Sequence, residues 1–266
     1  MFHFPSSIMT ISATAVMQLR SRTGVSINEC KKALEEAQGN EEKAIEILRK
    51  RGIATAAKKA GRDQQEGLVF IEQSGNRAAS VVLKCETDFV ARDSNFQSVG
   101  KAIAVALLSD GKDAAQSVAD EQIPAAVQKL GENISLGELS LVEAPVVGVY
   151  VHSNSKIGVV VGLEGGTEVM ARDVAMHGAA LNPLYVRPED VDTSTLEKER
   201  EIWREQLKKE GKPEAIWDKI LMGKEKKFRE ENALLTQPFV KDPGKTVQTF
   251  LGKAVLQSYL RASAGK

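Results

Sequence analysis

Apolar positions between Thr10 and Ile53 fall into three short runs with helical spacing. The first predicts a helix over Ser12 to Arg22 that stops at Gly24, a residue that readily takes the left-handed turn past a helix end. Ser26 and Glu29 open the second at the separation of a capping box. Its stripe is Cys30, Ala33, Leu34 and Ala37, at i, i+3, i+4 and i+7, and Gly39 closes it. Asn40 caps the third, Glu41 and Glu42 sit at the positive end of its dipole, Ala44, Ile47 and Leu48 face inward, and Gly52 ends it. Residues 10–53 thus read as a three-helix bundle. Such a unit is too small to enclose a substrate, and serves either as a docking module or as a structural cap. Residues 54–65, rich in Ala, Lys and Gly with no apolar stripe, read as a linker whose Lys58, Lys59 and Arg62 either meet an acidic partner or are simply solvated.

The period then changes from helical to alternating. Glu66 to Gln73 and Ala78 to Cys85 are strand patterns joined by Ser74-Gly75-Asn76, and a helical stretch with Phe96, Val99 and Ile103 follows. The same grammar returns later in the chain: Val146 to His152 and Ile157 to Leu163 as strands around Ser153 to Lys156, then a helix over Thr167 to Leu181 stopped by Asn182-Pro183. One hairpin-plus-helix unit is used twice, which predicts an α+β fold. Parallel crossovers are not indicated, so a dinucleotide-binding sheet is a poor reading. The first copy occupies 66–145 and the second 146–195 with 232–266.

Interrupting the second copy, residues 196–231 are more than half charged, with both signs interspersed. Leu196, Trp203 and Leu207 trace one stripe, and Ile216, Ile220 and Phe228 another, on either side of Gly211-Lys212-Pro213. Two helices about a short Gly/Pro turn predict an antiparallel coiled-coil hairpin with Trp203 and Trp217 at its seam. It is either a packing arm or a partner-contact arm.

Composition narrows the function. The 266 residues carry 36 basic and 36 acidic side chains, net zero, which argues against a general nucleic-acid binder. No apolar run approaches the roughly 20 residues of a membrane span. Met1 to Met9 lacks the basic start and cleavage site of a secretory signal, and no arginine precedes Arg20; Met9 is a candidate start. A cytoplasmic protein is expected ahead of an organellar one, with Cys30 and Cys85 as reduced thiols. Catalytic signatures fail. Gly244-Lys245-Thr246 ends like a phosphate loop, but the required earlier glycine is Phe239. His3, His152 and His177 include no pair at metal-ligand spacing, and Cys85 closes an apolar strand as a small hydrophobe would. The expectation is a protein that is not an enzyme and holds no metal or cofactor of its own.

One segment does not read as packing. Strand two runs out into Glu86-Thr87-Asp88-Phe89-Val90-Ala91-Arg92-Asp93, an aromatic beside a carboxylate on the link between strand and helix. Phe89 either folds back onto its own helix with Asp88 as cap, or projects as a wedge for a partner's pocket.

Pieces in fixed order carry a resemblance across about Thr10 to Phe250. They are Leu19 with Arg22-Thr23-Gly24, Cys30 to Leu34, Ala56 to Ala60, Glu86 to Ala91 and Gly131 to Ile134, then Tyr150, His152, Ile157-Gly158, Ala175-Met176-His177 and Gln237 to Val240. Together they resemble the translation elongation factor Ts family. The resemblance implies a head like a ubiquitin-associated domain, a core of two related subdomains and a coiled-coil hairpin. It also implies guanine-nucleotide exchange on elongation factor Tu, whose GDP and Mg2+ belong to that partner. Thr87, Asp88, Phe89 and Val90 then sit where the family disturbs the partner's Mg2+ site. Arg20, Ile27 and Asn28 sit where the head docks on the GTPase domain, with Ile27 where some relatives carry methionine. His152 matches a core contact, and His177 reads as packing. A homodimer is compatible with this. One departure is expected: a helical stretch ending near Leu260, with the second subdomain's last strand missing or replaced. The alternative reading is a ubiquitin- or peptide-binding adaptor that uses the head alone.

Overall fold

The computed structural model describes residues 11–265. The segment Met1 to Met9, read above for a leader and a start site, and His3 lie outside the described residues. The fold is mixed helix and sheet, an α+β arrangement, and the chain divides into two compact units. One holds the chain up to Glu72, then Ala79–Leu141 and the end from Ala262; the other holds Gln73–Ala78 and Val142–Arg261.

In the first unit, α1 (Ala13–Thr23), α2 (Ile27–Glu36) and α3 (Glu41–Lys59) form the head. Ser12, Ser26 and Asn40 cap them through their side chains, as their residue types favour. The reciprocal half of the box at Ser26 is replaced, since the Glu29 carboxylate pairs with Arg51 at 3.2 Å and Lys32 at 3.5 Å. Leu19, Cys30, Ala33, Leu34, Ala44 and Leu48 make the small core. The third helix does not end at Gly52. It runs on to Lys59, so the first half of the stretch expected as a linker is helix. Gly52 serves close approach instead: a Cβ there would lie 3.1 Å from the Pro124 carbonyl oxygen of α6 (Lys112–Leu130). Arg49 pairs with Glu121, and Lys59 donates to the Gly131 carbonyl, along the same seam.

Strands β1 (Glu66–Ser74), β2 (Arg77–Cys85) and β3 (Ser135–Glu143) form a sheet in that order. The β1–β2 turn is the two residues Gly75-Asn76, with Gly75 at φ 55°. A short helix, α4 (Asp88–Ala91), precedes α5 (Ser94–Asp110), and α5 and α6 cover one face of the sheet. Ala79, Val81, Leu83, Cys85, Phe96, Ile103 and Leu107 are buried there.

In the second unit β4 (Val146–Val151) pairs antiparallel with β5 (Ile157–Glu164), Val146 opposite Leu163 and Val151 opposite Gly158. Helix α7 (Glu168–Leu181) packs on this pair, and Asn182 in the left-handed region stops it. The charged region is α8 (Thr193–Lys209) and α9 (Trp217–Asn232), joined through Gly211 to Ile216. Arg200 pairs with Glu225, Gln206 accepts from Lys224, and Trp203 meets Phe228 edge-on, so the two helices run antiparallel. Trp203, Leu207 and Leu221 are buried between them, with Trp217 packed alongside. A two-stranded piece, β6 (Pro238–Phe239) with β7 (Asp242–Thr246), is followed by α10 (Val247–Leu251). Lys245 pairs with Asp242 on the exposed β7, in keeping with a surface role.

The end of the chain corrects the expectation of a helix and a lost strand. Val255–Ser263 is a strand, β8, and completes the sheet in the order β4-β5-β8. Leu256, Tyr259 and Leu260 mimic helical spacing, yet Leu256 and Ala262 are buried while Val255, Gln257 and Ser263 are exposed, the alternation of a strand. Gly162 of β5 lets β8 approach, because a Cβ there would meet Ser258.

Candidate partner-binding site

Thr87, two residues past the end of β2, is extended, φ −128° and ψ 158°, and its hydroxyl accepts from the Val90 amide at 3.4 Å. Thr87, not Asp88, is therefore the cap. The turn closes with Ala91 N–H to Thr87 O at 3.2 Å and Arg92 N–H to Asp88 O at 3.1 Å. Asp93 then starts α5, accepting from the Asn95 amide at 2.7 Å. The hydrogen bond from the Asn95 side chain, first, and that from its amide hold the Asp93 carboxyl below its ordinary pKa.

A helical turn rotates about 100° per residue, so neighbours on it cannot all face one way. Val90 and Ala91 enter the core of the first unit. Asp88 and Phe89 are left outside. Phe89 is 81% exposed, above Met222 at 72% and Val169 at 68%, which are themselves poorly covered. The ring does not fold back on its own helix. Nor is it at the hairpin turn; it stands where β2 ends. Asp88 pairs with Arg92 at 2.9 Å, both partly exposed, so its charge has an exchangeable partner.

The turn is braced from a loop that the sequence reading named only as part of a motif. Glu132 accepts from the amides of Glu86 at 3.1 Å and Thr87 at 3.0 Å, and from the Thr87 hydroxyl at 2.5 Å. Glu86 in turn accepts from the Asn133 amide at 2.6 Å and lies 3.4 Å from Arg62. Buried Asn133 donates to the carbonyls of Ala60 and Arg62. Cys85 Sγ lies 3.2 Å from the Thr87 carbonyl, so the thiol is part of this packing.

On the head, Arg20, Ile27 and Asn28 are all exposed, Ile27 beside the capped start of α2. Met17, one turn before Arg20 on α1, is exposed too. His152, in the second unit, is exposed in the β4–β5 turn with Nδ1 3.1 Å from Asn154 Oδ1. His177 is packing: it is buried, accepts at Nδ1 from the Val240 amide at 3.1 Å, and donates from Nε2 to Gln237 at 2.9 Å. Among the described residues no group of three or more His, Cys, Asp or Glu is placed to hold a metal ion, and no helix is long and apolar enough to cross a membrane.

Comparison with known proteins gives the class and then the family. The family model described as Elongation factor TS matches residues 86–266. An elongation factor Ts of Marinobacter nauticus is 44% identical over 264 residues, 96% of this chain and 91% of that protein. One from Hahella chejuensis is 46% identical over 253 residues, 93% and 88%, and one from Deinococcus radiodurans 42% over 260, 94% and 98%. These matches place the molecule among the translation elongation factors of protein biosynthesis. The chain belongs to the elongation factor Ts family.

Proposed function

We propose that the chain is a guanine-nucleotide exchange factor for elongation factor Tu, acting on that GTPase without catalysing a reaction of its own. The observation that carries this reading is Phe89, the most solvent-exposed of the large apolar side chains among the described residues, held out on a braced turn beside a carboxylate. Burying such a ring in a partner is worth about 2–3 kcal/mol. If the pocket that takes it opens only in the nucleotide-free partner, that energy is a coupling, and affinity for GDP falls by the same factor, roughly 30- to 150-fold. Asp88 exchanges Arg92 for polar groups around the partner's Mg2+ and phosphate site, and so disturbs the network of contacts that holds the ion in place. GDP and Mg2+ are the partner's, and this chain needs no cofactor.

The head acts as a ubiquitin-associated-like docking module, with Arg20 pairing to a carboxylate and Ile27 and Asn28 covering the contact. His152 supplies a second contact from the core, and α8 with α9 is a coiled-coil arm. The site of action is the cytoplasm, as monomer or homodimer.

Release of fluorescent GDP from elongation factor Tu, followed by stopped flow, tests the reading. The chain is expected to speed release, and Phe89→Ala and Asp88→Ala are each expected to slow the stimulated rate about tenfold or more with an unchanged circular dichroism spectrum. Unaltered rates for both variants overturn it. An adaptor confined to the head leaves release unstimulated from the outset.

A further inference from the structure

We propose that Glu132 is the positioning residue that keeps the Asp88–Phe89 turn projecting, a role that rests on the exchange-factor reading above. The turn it serves cannot order itself. Helix formation has a costly first turn, and α4 is four residues long with nothing to propagate into. A built-in comparison sharpens this. Thr167 caps α7 with the same extended conformation, φ −132° and ψ 160°, its hydroxyl accepting from the Met170 amide, and the acid Glu168 and exposed Val169 follow. There the cap leads into fourteen helical residues, whose own hydrogen bonds and buried face hold it.

At Thr87 the order comes from outside. Gly131 in the left-handed region ends α6 and turns the chain back, delivering Glu132 to the end of β2. One carboxylate oxygen takes the amides of Glu86 and Thr87, and the other takes the Thr87 hydroxyl proton. With its proton committed to Glu132, the hydroxyl has only lone pairs left for the Val90 amide, which fixes the cap. Hydrogen bonds to an ionised acceptor are about twice as strong as neutral ones. The loop cannot drift, because Asn133 is tied to Glu86, Ala60 and Arg62. Phe89 is thereby presented already ordered, so the partner does not have to immobilise it on binding.

The test uses the full-length chain and elongation factor Tu loaded with fluorescent GDP. Glu132→Ala is expected to lower the release rate at saturating factor about tenfold, the scale of a displaced contact group. Glu132→Gln is expected to restore it to within about threefold, because its amide oxygen takes the two N–H groups and its NH2 donates to Thr87. Hydrogen exchange at the Glu86 and Thr87 amides is expected to accelerate in Glu132→Ala and not in Glu132→Gln. In an Asp88→Ala/Phe89→Ala background, Glu132→Ala is expected to slow release no further, as required of a group that acts only through that turn. A wild-type release rate in Glu132→Ala beside a slow Phe89→Ala overturns the proposal, as does slowing that adds in full to that of the Asp88→Ala/Phe89→Ala pair. If Phe89→Ala itself is at wild-type rate, the exchange-factor reading is what fails, and the amide exchange still decides whether the clamp exists. Should Glu132→Ala not fold, Thr87→Val, which removes the hydroxyl that joins Glu132 to the Val90 amide, is expected to give the same slowing; wild-type release there overturns the role.

Discussion

Residues that look alike in sequence part company once each is placed. Phe89 and Phe96 are seven apart on one stretch of chain, and one is exposed while the other is fully buried. The sequence offered the aromatic and its acidic neighbour as a candidate pair, but the outward direction came from Val90 and Ala91 taking the core side of the turn. Glu132 escaped notice because its three hydrogen bonds reach across more than forty residues, and no local pattern encodes such a pairing. His177 was legible as packing, not as a hydrogen-bonded link between α7 and the Gln237–Val240 segment. Burial, the leading cause, holds its pKa below the ordinary 6.5, against the opposing hydrogen bond with Gln237. The unfolded chain therefore binds the proton more readily than the fold does. Its contribution to stability is complete above 6.5 and is lost as pH falls from there toward the folded pKa. The urea midpoint is expected to drop between about pH 7.5 and about pH 5.5, and the drop is expected to be shallower in His177→Gln. Equal pH dependence in the two proteins excludes this residue as the source.

Whole elements were easier to foresee than their ends. The two hairpins, the head and the charged helical pair were each visible as periodicity, because one buried face imposes its period over many positions. Two errors share a cause. Gly52 was taken as a stop and β8 as a helix, and in both places tertiary packing overrode a local signal. Glycine in this fold marks close approach as often as termination. Gly148 of β4 is the sharpest instance, since a Cβ would fall against the backbone between Ala171 and Arg172 of α7, which a side-chain rotation cannot relieve. Gly148→Ala is expected to destabilise the protein by about 1–3 kcal/mol, the range of overpacked cores, lowering the urea midpoint at constant slope. A midpoint within error of wild type means that α7 moves aside without cost.

At the scale of the molecule, the chain passes between its two compact units within strands. The crossings fall at 72–73 in β1, 78–79 in β2, 141–142 in β3 and 261–262 in β8. Independent domains are normally joined by exposed linkers where few contacts cross. The expectation here is one cooperative transition, and the chain carries its own reporters. Cys30 and Cys85 are buried thiols of the first unit, while Trp203 and Trp217 belong to the second. Thiol labelling and tryptophan fluorescence in urea are expected to give coincident curves. A separation of the two midpoints shows units that melt independently.

The same crossings bear on anyone who would dissect the protein. A fragment cut at 141 breaks a strand that is hydrogen-bonded within its sheet instead of parting a tether.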